Sequence, residues 1–403
     1  MPNATGQTLR SLYLDLPHEN LLELVYTAGG ESAVTIPATV APIDLALRGV
    51  VRAIRKLRGS GGDDPPTALN DAIKVDGQST TARVWKDLRA AADVSPVRIS
   101  RGLLAQIQDF GPDVIYTLLG NVRIMKLAIA LSEELDIPIV PHFMDDWPGT
   151  LYPNGELGGR ARSSALRSLD RVLDRSPVLV CIGDMMAAEY RQRYARPVHV
   201  AAFGIEEPAT PAYTARRSAS SRRLVYAGGL HLGRQHVLEW VASCLEGSDW
   251  MLEVYAPTSG TPTPNIRYMP PVAVGEISTL LAAADALLFV ESLEPSIADY
   301  TRLSVSTKSA QYVGANRPAI LIGPARQASI ELLSENLAAS IHIDRLSDAS
   351  AVEIQFFLES GLPACIPARK VPPQFSGRAM RESMIAAIES AAEIWTSRGN
   401  GRG

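Results

Sequence analysis

The chain has 403 residues, is 46% hydrophobic, and balances 39 Lys+Arg against 43 Asp+Glu for a formal charge of −4. That length suits two or three domains with sizeable cores, and the charge lacks the dominant basic field of a dedicated nucleic-acid binder. Cys181, Cys244 and Cys365 are too few and too far apart for a disulfide framework or a cysteine zinc site, and no apolar run reaches the ~18 residues of a membrane helix. Met1 to Leu9 has neither the basic nor the apolar region of a signal peptide, so the expectation is a soluble, cytoplasmic protein.

In chain order, residues 2–8 read as a loop feeding a helix with Leu9, Leu12, Tyr13 and Leu16 in period. Ile43 to Arg58 reads as an amphipathic helix, Leu47, Val50, Val51, Ile54 and Leu57 opposing Arg48, Arg52, Arg55, Lys56 and Arg58. Such a helix suits either a solvated basic face or peripheral contact with an anionic inner membrane surface. Residues 59–66 read as a Gly/Asp/Pro loop, and Leu69 to Val94 as a helical insertion. Strands are then expected at 113–117, 137–140, 178–182 and 198–200, with a helix over Val122 to Leu135. Strands alternating with helices imply a parallel sheet covered on both faces.

Residues 208–222 are Pro- and Ser-rich and aperiodic, the composition of a linker. A second alternation follows, with strands expected at 223–227, 251–255, 265–268, 286–290, 318–322 and 340–343. After Pro372-Pro373, a helical stripe of Met384, Ile385, Ile388, Ala391, Ala392 and Trp395 precedes a Gly/Arg-rich tail from Arg398 that reads as disordered. The expected fold class is α/β with two Rossmann-like doubly wound domains. Their limits are 1–207, a linker at 208–222, 223–375, and a final helix at 376–397.

Three clusters carry candidate chemistry. Gly228-Gly229 ends a strand and leads through His231 and Gly233-Arg234 into a helix. Paired glycines let a ligand approach the backbone, a helix N-terminus offers free N–H groups, and Arg234 adds a forked donor for phosphate. The same residues also suit a tight turn with a surface arginine. In the second cluster, Ser304, Ser306 and Thr307 precede Lys308 as helix-capping hydroxyls. A lysine in a first helical turn opposes the macrodipole unless an anion compensates, although a solvated lysine is the simpler reading. The third is His142-Phe143-Met144-Asp145-Asp146-Trp147-Pro148 at a strand's carboxyl end. Its carboxylates could hold or deprotonate a sugar hydroxyl, or form a turn anchored by Trp147.

Taken together these segments resemble the GT-B glycosyltransferases, and among them glycosyltransferase family 4. The likeness covers about residues 105 to 345 and the final helix. Gly111 to Tyr116 resembles the family's "kPDvIy" strand, and Asp136 to Val140 with Asp145-Asp146-Trp147-Pro148 its "giPvv…DlWp" element. Residues 181–194 resemble "viS..m…y..ry", Val225 to Arg234 "vyaGgl….Kg", Leu280 to Val290 "ll..aDvlLl", and Thr307-Lys308 through Pro318 "sKl.EYla.grPvi".

The resemblance implies transfer of a hexosyl group, with retention, from a nucleotide-diphosphate sugar to a saccharide or lipid-linked acceptor. It implies a place in cell-envelope or exopolysaccharide synthesis. No metal or other cofactor is expected, the nucleotide sugar being a co-substrate, and no nucleic-acid partner. Asp145, Lys308 and Arg234 are implied as catalytic. Gly228, Gly229, His231, Glu291, Ser306, Thr307 and Gln311 are implied at the donor, and His142, Asp146 and Trp147 on the acceptor side.

One departure stands out. Where the family keeps the second Glu of a Glu-x7-Glu pair this chain has Gln311, and eight residues earlier it has Leu303. That departure supports one alternative, a non-catalytic nucleotide-sugar-binding protein, and a GT-B-fold sugar-nucleotide epimerase is a second alternative. Residues 3–16 resemble the loop and helix that follow the first buried strand of such a domain. A first strand lost upstream of Met1 is therefore expected, by truncation or a late-assigned start.

Overall fold

The computed structural model describes residues 4–26, 39–43, 80–216, 221–257, 260 and 263–400. The helix Ala4–Leu12 comes first; it takes in residues 4–8, expected as a loop, and ends before Tyr13 and Leu16, expected within it. Two strands follow that the sequence reading did not include, β1 (Leu22–Tyr26) and β2 (Thr39–Ile43), paired in parallel with Leu22 opposite Thr39. Ile43 thus closes a strand instead of opening the expected basic helix, whose residues 44–58 lie outside the described residues. The loop at 59–66 and the first part of the insertion at 69–94 lie outside them too, and residues Thr80–Val94 are helical.

Four parallel strands then stand side by side in the order β3 (Ile115–Leu118), β4 (Ile139–Phe143), β5 (Leu179–Cys181) and β6 (Val198–Val200). Each lies within two residues of its expected limits except at the end of β4, which runs on to Phe143. The helix Val122–Leu135 has the predicted bounds, and its start shows why it is stable. The Asp93 carboxylate accepts from Val122 N at 3.0 Å and Arg123 N at 3.1 Å, while the Asn121 side chain accepts from Ile124 N at 2.9 Å. Three orphan amides of the first turn are satisfied, two of them by a carboxylate that complements the helix dipole.

Of the residues expected to link the domains, 208–216 form an ordered strap. β7 (Tyr213–Thr214) pairs antiparallel with β14 (Cys365–Ile366), and Thr210 N donates to Arg369 O at 2.8 Å. Tyr213 and Thr210 are buried, so this part of the expected linker is held by burial and pairing. The larger sheet is parallel throughout, in the order β10 (Ile266–Met269), β9 (Trp250–Tyr255), β8 (Arg222–Ala227), β11 (Ala286–Val290), β12 (Ala319–Ile322), β13 (Ser340–Ile343). Alternate side chains enter two cores. Leu224, Tyr226, Leu288, Val290 and Ile320 join the helix Arg234–Cys244 on one face, and Val225, Ala227, Leu287, Phe289 and Leu321 join the helix Lys308–Ala315 on the other. A strand buried on both faces reads as the continuous apolar run that the sequence shows.

Compactness divides the chain into two units. One comprises Met1–Leu12, Ile182–Met186 and Ala201–Glu382, the other Tyr13–Cys181, Ala187–Val200 and Ser383–Gly403. The first helix therefore groups with the larger sheet, where Ser11 Oγ donates to Gly204 O and Arg381 donates to Ser11 O. The last helix, Gly377–Asn400, starts in one unit and continues in the other, and runs through the residues expected as a disordered tail as far as Asn400. Along it Met380, Met384, Ala387 and Ala391 are buried, while Ile385, Ile388 and Trp395 are only partly covered. The class is thus α/β with parallel sheets in two units.

Candidate functional site

The order of the larger sheet defines where a ligand would sit. From β8 the chain proceeds to β9 on one side, while from β11 it proceeds to β12 on the other. The helices after β8 and β11 therefore leave toward opposite faces, and a crevice opens between the carboxyl ends of these adjacent strands. This is the topological switch point, where open α/β sheets take their ligands. Gly228-Gly229 follows β8, Glu291 follows β11, and Arg234 and Lys308 each open one of the diverging helices.

At the Gly-Gly turn the backbone needs the missing side chains. A Cβ on Gly228 would lie 2.5 Å from Lys308 Nζ and 3.1 Å from Tyr226 Oη, and one on Gly229 would lie 2.5 Å from the His231 imidazole. Tyr226 Oη donates to Gly229 O at 2.7 Å, which fixes the turn over the ring. Lys308 Nζ stands 4.9 Å from the Tyr226 ring centroid and 5.6 Å from that of Phe289. Its amine is buried and has no hydrogen-bond partner among the described residues. Burial first, and then the nearby Arg234 charge, push that amine down from its ordinary value to about 7, against the opposing pull of Glu291.

Arg234 and Glu291 are committed to each other. Arg234 donates to Glu291 Oε2 at 2.7 Å, and both side chains are buried. Burial works against the Arg234 charge, but Glu291 and Tyr226 more than offset it, so the guanidinium is held above its ordinary value. Arg234 Nε and the buried Ser309 Oγ, like Lys308 Nζ, lack hydrogen-bond partners among the described residues. An unpartnered buried amine is costly in a folded protein, and an anion bound beside it would satisfy it.

The residues expected as caps and as sugar contacts occupy defined places. Thr307 is the N-cap of the Lys308 helix but makes no side-chain cap, and Ser306 Oγ instead accepts from Lys308 N at 3.4 Å. Gln311 is buried one turn into that helix, and Leu303 is buried before it. His231 is exposed beside the turn. Tyr226, Phe289 and Ser309 were not singled out from sequence. Tyr226 alone left a signal, a polar-tipped aromatic two residues before the paired glycines.

His142, Asp145, Asp146 and Trp147 lie in the other unit, at the carboxyl end of β4 and just beyond it. His142 is fully buried, and its Nδ1 lies 2.6 Å from Tyr116 Oη. Asp146 accepts from Tyr190 Oη at 2.6 Å and from Arg193 at 3.3 Å, and Arg193 also lies over the Tyr190 ring. Trp147 is buried, its amide donating to Asp145 O at 2.8 Å. Asp146 and Trp147 therefore anchor the short helix Trp147–Thr150, and Asp145 lies half-buried before it.

No family model matches the sequence, and no curated protein matches it. Among solved structures, the chain is similar to CalG4, the calicheamicin glycosyltransferase, at 13% identity and TM-score 0.42 over 94% of this chain and 98% of that one. It is similar to HepE of Anabaena, solved in complex with UDP and glucose, at 11% identity and TM-score 0.41 over 74% and 82% of the two chains. The spinosyn forosaminyltransferase SpnP is a third, at 13% identity and TM-score 0.39 over 76% and 79%. Among the described residues, no helix is long and apolar enough to cross a membrane.

Proposed function

We propose that this chain is a GT-B glycosyltransferase that moves a hexosyl group from a nucleotide-diphosphate sugar to a saccharide or lipid-linked acceptor. We place it in family 4, in the cytoplasm, in cell-envelope or exopolysaccharide synthesis. One observation carries the reading: the buried, unpartnered Lys308 ammonium beside the Gly228-Gly229 turn, at the switch point of the larger sheet. A diphosphate set against that turn would pair with Lys308 Nζ. As the sugar leaves, negative charge grows on the diphosphate oxygens, and a fixed cation in a dry site stabilises it. Arg234 holds Glu291 in place through their ion pair, and Gln311 would bond a ribose hydroxyl.

Gln311 and Leu303, standing where the family's carboxylates would be, favour one second reading, a protein that binds nucleotide sugars without turning them over. Titration with UDP, GDP and TDP, followed by assay of the corresponding sugars for release of nucleotide diphosphate, separates the two. At least one diphosphate is expected to bind, and Lys308→Ala to weaken it about 10- to 100-fold, the range of one charge-assisted hydrogen bond. Unchanged affinity in that variant would remove the diphosphate assignment. Tight binding without release, whatever acceptor is supplied, would favour the second reading.

A further inference from the structure

Lys308 is delivered by residues 302–307, which run from the helix Pro295–Thr301 to the helix Lys308–Ala315 without regular structure. Core packing of Ala310, Tyr312 and Val313 fixes the body of the Lys308 helix, and the irregular entry to it is held separately. The start of the helix Ala328–Asn336, in the segment after β12, makes four hydrogen bonds with residues 301–306. Gln327 Nε2 donates to Thr301 Oγ1 at 2.8 Å, and Ala328 N to Arg302 O at 2.9 Å. Ser329 Oγ donates to Ser304 O at 3.2 Å and accepts from Ser306 N at 3.0 Å. Ser306 then carries the connection onward, its Oγ accepting from Lys308 N at 3.4 Å and its carbonyl from Ser309 N at 2.9 Å.

Ser329 is fully buried, and its single hydroxyl occupies both roles available to it, donor and acceptor. We infer that Ser329 is a positioning residue that sets Lys308 in the anion site by holding Ser304 and Ser306, and so determines affinity for the diphosphate without touching it. The assignment rests on the proposed role of Lys308 for its functional meaning, but its geometric content does not.

Two measurements test it. The first needs no ligand. The chain has six lysines, so the side-chain nitrogen of Lys308 can be followed by NMR in lysine-labelled protein, with Lys308→Ala giving the assignment. In the parent protein it should titrate near 7. In Ser329→Ala, with the loop released, its midpoint should move upward toward that of an exposed lysine. An unmoved midpoint overturns the inference.

The second measurement is a double-mutant cycle on affinity for nucleotide diphosphate. Ser329→Ala should weaken binding about fivefold to tenfold in the parent background and less than twofold in Lys308→Ala. Equal losses in both backgrounds would mark Ser329 as merely structural. Absence of binding in the parent would overturn the proposed function while leaving the titration to decide on Ser329.

Discussion

Lys308 shows how one buried charge links stability to chemistry. Its amine is held near 7 in the folded protein and returns to about 10.5 when the chain unfolds, so the unfolded state binds the extra proton between these values. Stability therefore rises with pH across that window. Below about 7 the cost of keeping a buried ammonium is fully present, and above about 10.5 it is gone. Lys308→Met keeps the side chain's length and removes the charge. It should stabilise the protein by on the order of a few kcal/mol at pH 6, with the gain shrinking as pH rises past 7 and vanishing near 10.5. Urea unfolding of both proteins at four pH values measures this, and a gain independent of pH would show that the amine is not the cause. The anion proposed for the site acts in the opposite sense, restoring the proton. Nucleotide diphosphate bound at pH 8 should therefore take up close to one proton, read by calorimetry in buffers of different ionisation enthalpy.

Elements differ in what they leave open, and helix starts display the contrast best. At Val122–Leu135, Asp93 and Asn121 satisfy the first amides, and Met125 N donates to Asn121 O at 3.3 Å, so that end is closed by the protein's own groups. At Lys308–Ala315 the N-cap side chain makes no cap bond, Ser306 Oγ accepts from Lys308 N only at 3.4 Å, and a cation replaces the acid that usually sits there. Asp93→Ala should thus cost about 1–2 kcal/mol by removing two caps and the Tyr152 hydroxyl's acceptor. Chemical denaturation measures it, and a change below 0.5 kcal/mol would mean that water caps the helix equally well.

The same contrast explains what was legible in the sequence. The Lys308 oddity could be read because charge against dipole is a local rule. Asp93 and Ser329 could not, because each acts on amides more than twenty residues away. Strands of the larger sheet were legible as apolar runs because both faces are buried. β7 and β14 were not, since two residues carry no period. The Arg234–Glu291 pair escaped for a further reason. Both residues were expected to face a ligand, and only the fold reveals that each is the other's counter-ion.

At the scale of the whole molecule, the final helix tests how far the units depend on one chain segment. Residues 383–403 group with the smaller sheet although they follow directly from the larger one's unit. Met384, Ala387 and Ala391 are fully buried there, Trp395 Nε1 donates to Asp136 O at 2.8 Å, and Arg175 stacks 4.9 Å from the Trp395 ring. Arg175 also donates to Ser132 O at 2.6 Å, so the indole closes a cluster that ends the helix Val122–Leu135. Ending the chain after Glu382 should therefore raise hydrogen exchange in residues 132–139 and 172–176, and leave the amides of β8, β11 and β12 protected. The milder Trp395→Ala should cost about 1–2 kcal/mol, from a lost hydrogen bond and a lost cation–π contact. Should both variants exchange uniformly faster across the two sheets, the units would unfold as one, and the helix would be a shared strut instead of part of the smaller unit. Should neither change exchange at 132–139, the burial of Met384 and Ala391 would contribute nothing to that unit, against the expected cost of exposing buried apolar side chains.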